Sequence, residues 1–284
     1  MTRLLITGGS SYLGQHLVPL GRQQLGARDA LLYTYFSHDP LQGPGGGQLD
    51  LRDEKATRTL VDDFSPSVII HTAGSNRPAA TMESVIRRGA EHVTAAAIRH
   101  GARLIHLSTD VIFDGRHAPY REEDTPQPLH VYGRAKAAAE TIVSRHQRTA
   151  IVRTSLIYGL HKMDRGTEWV VRALQAGEPV TLFGDQMRNP ILVDSLCRAC
   201  LELVSHAYTG ILHIAGADRI SRADFMLRLL AWWRITPGPG LVVGPSDPDR
   251  WPLDTTLDIT RATALLRTPL PGVREILPSE TPIS

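Results

Sequence analysis

The chain has 284 residues and is 42% hydrophobic, long enough for one large α/β domain with a smaller one appended. Its 31 Lys and Arg against 29 Asp and Glu leave a formal charge of +2, which excludes the broad positive field expected of a nucleic-acid-binding protein. No basic cluster flanks an apolar helix, and the N-terminal MTRLLITGG has no signal-peptide core, so a cytoplasmic protein with no membrane contact is expected.

Short β-branched runs alternate with helical stretches through the first half, the pattern of a parallel sheet covered on both faces. Strands are expected at Leu4–Thr7, Ala30–Tyr35, Ser67–Thr72, Leu104–Ser108 and Ala150–Thr154. Helices are expected between them near Tyr12–Leu25, Lys55–Phe64, Met82–His100 and Val131–Arg145. That order predicts an α/β fold, a doubly wound Rossmann sheet. Pro19 falls inside the first helix and predicts a kink or an early end, because it removes a backbone donor. The stretch Phe36–Gly47, FSHDPLQGPGGG, predicts a loop, and so does Thr236–Arg250, read either as a substrate lid or as a plain surface loop. Cys197 and Cys200 form CRAC in an amphipathic helix without a second Cys/His pair, which predicts buried structural thiols. His71, His106 and His213 fall in strands and no HExxH spacing occurs, so no metal is expected.

The strand LLIT runs directly into Gly8-Gly9-Ser10-Ser11-Tyr12-Leu13-Gly14, a strand, a tight turn and a helix start. In that context a glycine fingerprint points to a dinucleotide: Gly8 permits the turn, Gly14 lets the helix pack closely on the strand, and the helix N-terminus offers free N–H groups to a pyrophosphate. Ser11 stands where a third glycine would let the backbone approach the phosphate, so its hydroxyl either points away or bonds the cofactor. The end of the second strand, Thr34-Tyr35-Phe36-Ser37-His38, has no carboxylate for a ribose 2′-hydroxyl. The cofactor expected is NADP or NAD, leaning to NADP, with Ser37 as a donor to a 2′-phosphate.

Tyr132-Gly133-Arg134-Ala135-Lys136 puts a phenol and an ammonium four residues apart, on one helical face. A phenol of ordinary pKa about 10 needs lowering by roughly 3 units to act as a base near pH 7, and a nearby Lys136 cation is the right kind of group. The ammonium is also placed to bond the nicotinamide ribose. Thr109, at the C-terminal end of strand LIHLS, supplies a hydroxyl to orient a carbonyl oxygen.

Several segments in order resemble the extended short-chain dehydrogenase/reductase family, and within it the dTDP-4-dehydrorhamnose reductase group. They are the glycine turn, Asp50-Leu51, HTAG at His71–Gly74, STDVIFDG at Ser108–Gly115, YGRAK at Tyr132–Lys136, VRTSLIYG at Val152–Gly159 and GILHIAG at Gly210–Gly216. The resemblance implies Thr109, Tyr132 and Lys136 as the catalytic triad. It also implies Asp50 and Leu51 near the adenine, Ala73 and Gly74 along the cofactor, and Asp110 facing the substrate. Arg188, in GDQMRNPILVDSL where the chain returns from cap to sheet, is placed at the substrate as well. The implied division is a dinucleotide-binding domain of residues 1–158 plus 189–216, and a substrate-binding cap of residues 159–188 plus 217–284.

The implied activity is NAD(P)H-dependent reduction of a keto-sugar nucleotide, with a homodimer as the assembly to test. Val111 and Leu156 replace aromatic residues typical of the rhamnose reductases, so the sugar is left open. Ile86 replaces an asparagine that relays protons in the wider family, and Gln15 and His16 stand where some relatives carry a magnesium-site glutamate. Two alternatives stay open: a sugar-nucleotide epimerase or dehydratase, the latter disfavoured by Val111 in place of glutamate, and a non-catalytic NADP-binding subunit like the beta subunit of methionine adenosyltransferase.

Overall fold

A computed structural model describes residues 1–74 and 79–278; of the cap expectation, residues 279–284 lie outside the described residues. The first half runs β1 (Arg3–Thr7), α1 (Tyr12–Gln24), β2 (Ala30–Tyr35), β3 (Gly46–Gln48), α2 (Glu54–Phe64), β4 (Val68–His71), α3 (Ala79–His100), β5 (Arg103–Leu107), α4 (Val131–Val143) and β6 (Thr149–Arg153). The remainder runs β7 (Ile157–Tyr158), α5 (Arg165–Gln175), β8 (Val180–Phe183), β9 (Met187–Arg188), β10 (Ile191–Leu192), α6 (Val193–Ser205), β11 (Gly210–His213), β12 (Ile220–Ser221), α7 (Arg222–Trp232), β13 (Leu241–Gly244), α8 (Thr260–Leu265) and α9 (Val273–Ile276).

Seven strands form the main sheet in the order β11-β6-β5-β4-β1-β2-β3, every neighbouring pair parallel. Alternate residues face opposite layers, as the period of two in a strand requires. Leu4, Ile6, Ile70 and Val152 pack with Leu13 and Leu17 of α1 and Leu196 of α6, whereas Leu5, Ile69 and Ile151 pack with Val61, Ile86 and Val143 on the other side. The strand order reverses between β1 and β4, and a sheet of this kind binds ligands beyond its strand ends at that switch point.

The smaller part is built from two-stranded pieces: β8 with β13, β9 with β12, and β7 with β10. Val170, Val171, Leu182 and Leu230 form a separate apolar cluster there, joining α5, β8 and α7. The chain then returns to the sheet, because Ala262, Leu266 and Leu270 pack into the core shared by α1 and α6.

Three sequence expectations are corrected. Gly46 and Gly47, expected at the end of the Phe36–Gly47 loop, belong to the edge strand β3 (Gly46–Gln48), paired in register Tyr33↔Gly46. Glycine suits this edge because a Cβ on Gly46 would lie 2.6 Å from the Tyr33 hydroxyl. Leu241–Gly244, also expected as loop, pairs in parallel with β8. Helix α1 runs through Pro19 to Gln24 without stopping. Pro19 is on the exposed face, so the one backbone donor it removes is lost away from the core, where Leu13, Leu17, Val18 and Gly21 are buried.

Candidate active site

A cavity of about 580 Å³ opens at the switch point, within the size range of cofactor sites. Its floor is the glycine turn, and each element of the turn has a steric reason. Gly8 has φ +81°, and a Cβ on it would lie 2.7 Å from the Ala73 backbone; a Cβ on Gly14 would lie 2.2 Å from the Gly8 carbonyl oxygen. Ser11 is the N-cap of α1: its hydroxyl oxygen accepts from the Gly14 N–H at 2.9 Å and lies 3.2 Å from the Thr72 hydroxyl. The hydroxyl therefore takes a helix-terminal donor and ties the turn to the end of β4.

Most of the residues expected at the cofactor meet here. Gly8, Ser11, Tyr12, Leu13, Asp50, Leu51, Ala73, Gly74, Tyr132 and Lys136 all line the cavity. Gly14 shapes the turn from beneath without lining the cavity, and Ser37 is exposed outside it. Arg52, which sequence reasoning passed over, lines the cavity instead; it grips Asp50 at 2.6 Å and lies 5.6 Å from the centre of the Phe36 ring. Its position directly after Asp50-Leu51 was the available signal.

Tyr132 and Lys136 are brought to one wall by the first turns of α4, whose N-cap is His130, accepting from the Gly133 N–H at 3.1 Å. Lys136 is buried and its ammonium donates to the Leu107 carbonyl oxygen at the end of β5. Burial lowers its pKa to about 8, opposed by the charge of Glu140 one turn further along. Glu140 is itself buried, accepting from Arg153 at 2.8 Å and from the Ser108 hydroxyl. The phenol of Tyr132 moves opposite to the expectation: burial, and then the charge of Asp110, raise it to about 12. Protonated at neutral pH, it is in the form that donates a proton.

The other expected site residues are placed as follows. Thr109 caps a short 3₁₀ turn, Asp110–Ile112, and donates to Asp110 Oδ1 at 3.3 Å; it is not among the residues lining the cavity. Asp110 and Arg188 are buried and face each other at 3.7 Å. Asp110 also accepts from Ser155 at 2.7 Å and Thr255 at 3.0 Å, and Arg188 donates to the Pro252 carbonyl oxygen at 3.0 Å. This cluster joins the β5 end to the 252–255 segment. Val111 and Leu156 are half-buried, and Ile86 is in the core beneath Gly74.

The residues present fit a dinucleotide. The Thr154 hydroxyl is buried with no partner among the described residues and lines the same cavity, so a ligand with hydrogen-bonding groups would satisfy it. A second cavity of about 540 Å³, beneath the far end of α4, is lined by Glu140 and Arg153, already paired with each other. Cys197 and Cys200 are buried and burial raises both thiols, in keeping with structural roles. Among the described residues, no helix is long and apolar enough to cross a membrane.

The chain matches the RmlD substrate binding domain over residues 1–279. It is 32% identical over 251 residues to a dTDP-4-keto-6-deoxy-D-glucose reductase of Streptomyces niveus, covering 84% of this chain and 82% of that protein. Over 249 residues it is 28% identical to methionine adenosyltransferase 2 subunit beta of Danio rerio, covering 78% and 71%. A solved structure described as a hypothetical dTDP-4-dehydrorhamnose reductase from Sulfolobus tokodaii superposes with a TM-score of 0.80 at 30% identity, covering 94% of this chain and 96% of that one. With its parallel sheet, glycine turn and Tyr132–Lys136 wall, the chain belongs to the RmlD family of extended short-chain dehydrogenases/reductases.

Proposed function

We propose that the protein is an NAD(P)H-dependent reductase of a keto-sugar nucleotide. The observation that carries this reading is that Tyr132 and Lys136 line the same cavity as the glycine turn, so a proton donor stands where a dinucleotide would lie. Gly8, Ser11, Tyr12 and the N-terminus of α1 would hold the pyrophosphate, Asp50 and Leu51 the adenosine, and Thr154 the nicotinamide end. The reduced nicotinamide, when bound, supplies the hydride that reduces the carbonyl carbon.

The protein's own share is the proton and the geometry. Tyr132 donates its phenolic proton to the carbonyl oxygen, and the Lys136 ammonium, fixed on the Leu107 carbonyl, stabilises the phenolate left behind. The raised phenol favours this direction, since a group protonated well above neutral pH is loaded as an acid. Thr109, next to the buried Asp110, is assigned to orienting the carbonyl oxygen. The segments 159–188 and 217–258 are assigned to the nucleotide sugar, with Asp110 and Arg188 setting their position over the cavity.

The test is oxidation of NADPH or NADH by purified protein offered keto-deoxysugar nucleotides, read as loss of the reduced nicotinamide's absorbance. Turnover that disappears in Tyr132→Phe supports the reading. Cofactor binding with no turnover on any such nucleotide would favour the non-catalytic subunit instead, and tightly held NAD surviving purification would favour an epimerase.

A further inference from the structure

Among the described residues, three cationic side chains line the dinucleotide cavity, and two are committed. Lys136 donates to the Leu107 carbonyl oxygen, and Arg52 is paired with Asp50 at 2.6 Å. The Arg165 side chain has no hydrogen bond or ion pair among the described residues. It is also the one of the three that comes from outside the main sheet layer, being the first residue of α5.

The segment before it is fixed over the glycine turn. The Tyr12 hydroxyl donates to the Lys162 carbonyl oxygen at 2.8 Å, and the Lys162 ammonium donates to Gln15 Oε1 at 2.5 Å. Gly159 lies so close that a Cβ would sit 2.3 Å from the Tyr12 hydroxyl oxygen. Asp164 then caps α5 by accepting from the Gly166 and Thr167 N–H groups, which sets where Arg165 starts. An exposed guanidinium with no side-chain partner among the described residues thereby starts three residues after the Lys162 tie to Tyr12 and lines the same cavity as the glycine turn.

The glycine turn would meet a dianionic diphosphate with neutral N–H groups only. The α1 N-terminus contributes roughly half a positive charge, and Ser11 already occupies the Gly14 N–H. A planar guanidinium, which can bond two phosphate oxygens at once, supplies what is missing.

We propose that Arg165 is a diphosphate-binding residue delivered from α5, closing over the cofactor's pyrophosphate at the glycine turn and so tying this segment to the bound dinucleotide. The inference rests on the dinucleotide reading of the cavity. The cofactor is chosen over the sugar nucleotide, which carries the same chemical group, because the segment leading into Arg165 is bonded to Tyr12 and Gln15 at the glycine turn and the start of α1.

The test is equilibrium titration of the full chain, following protein and nucleotide fluorescence, with NADPH, adenosine diphosphate and adenosine 2′-monophosphate as probes. Arg165→Ala is expected to weaken NADPH and adenosine diphosphate by a common factor of about ten, Arg165→Lys by less, and to leave the monophosphate unchanged. The gap between wild type and Arg165→Ala narrows in high salt, as a screened charge contact must. Its melting temperature stays that of the wild type, since the side chain has no hydrogen bond or ion pair among the described residues. Equal NADPH affinity in wild type and Arg165→Ala overturns the inference while leaving the reductase reading intact. Loss confined to uridine or thymidine diphosphate on cofactor-saturated protein also overturns it, assigning Arg165 to the sugar nucleotide. A wild type that binds no probe overturns the dinucleotide reading and this inference with it.

Discussion

The sheet half and the smaller half of the molecule are stabilised and positioned in different ways. In the sheet half, each functional side chain sits at or just beyond the end of a regular element: Gly8 after β1, Ala73 after β4, Ser108 after β5, Tyr132 and Lys136 on the first turns of α4. Local periodicity therefore places them. The smaller half has two-residue strands and is joined to the sheet half by a buried ionic cluster of Asp110, Arg188, Ser155 and Thr255, which draws together residues up to 145 positions apart. The lesson is that the glycine turn and the Tyr132–Lys136 wall are held by secondary structure and the smaller part by long-range polar contacts, so the two should fail differently.

The largest expected effect lies on the sheet side. Tyr132→Phe should reduce kcat by about 10²–10⁴-fold, the usual worth of a positioned proton donor, while NADPH affinity stays within about twofold in the same titration, since α4 and its cap are untouched. A comparable loss of cofactor affinity would mean that the hydroxyl serves binding rather than chemistry.

The matching change on the other side is Asp110→Ala. It leaves the buried Arg188 cation without its carboxylate, which should lower stability by about 3–5 kcal/mol. Urea unfolding should register that loss, and hydrogen exchange should accelerate first in the 252–255 segment and β9, before the main sheet. Uniform acceleration across both parts would erase the distinction between them.

Gly14→Ala tests the turn directly. A Cβ 2.2 Å from the Gly8 carbonyl oxygen must push α1 off β1, an overpacking effect of about 1–3 kcal/mol. Thermal unfolding and NADPH affinity should weaken together, without selective loosening of α5 or α7.

A pH profile sharpens the catalytic part. Lys136, lowered by burial to about 8, is cationic below that pH and loses its proton above it. If its charge supports Tyr132, kcat/KM should be flat below pH 8 and fall about tenfold per pH unit above it. Glu140 raises the Lys136 pKa, so Glu140→Gln should move the falling limb to lower pH. A limb that does not move would remove Glu140 from the electrostatics of the site.

The smallest effect belongs to Asp164→Ala, which removes the N-cap of α5. A loss of about 1 kcal/mol is expected, read in denaturant unfolding, with a modest weakening of NADPH binding because Arg165 loses its anchor.

The sequence by itself determined the doubly wound half: alternating strands and helices fall within a few residues of where periodicity puts them, as with Ala30–Tyr35 and Val131–Val143. It also brought out the glycine turn and the Tyr132–Lys136 spacing, because both are local patterns whose geometry follows from a single turn or helix. Only the tertiary structure decided that the Ser11 hydroxyl meets Thr72, that Gly46–Gln48 and Leu241–Gly244 become strands, and that Asp110 is locked against Arg188. It alone decided, too, that the Tyr132 phenol is raised. The physical reason is common to all four. Hydroxyl contacts between separate turns, edge pairing, ion pairs and desolvation depend on which distant atoms surround a residue, and no local spacing encodes that.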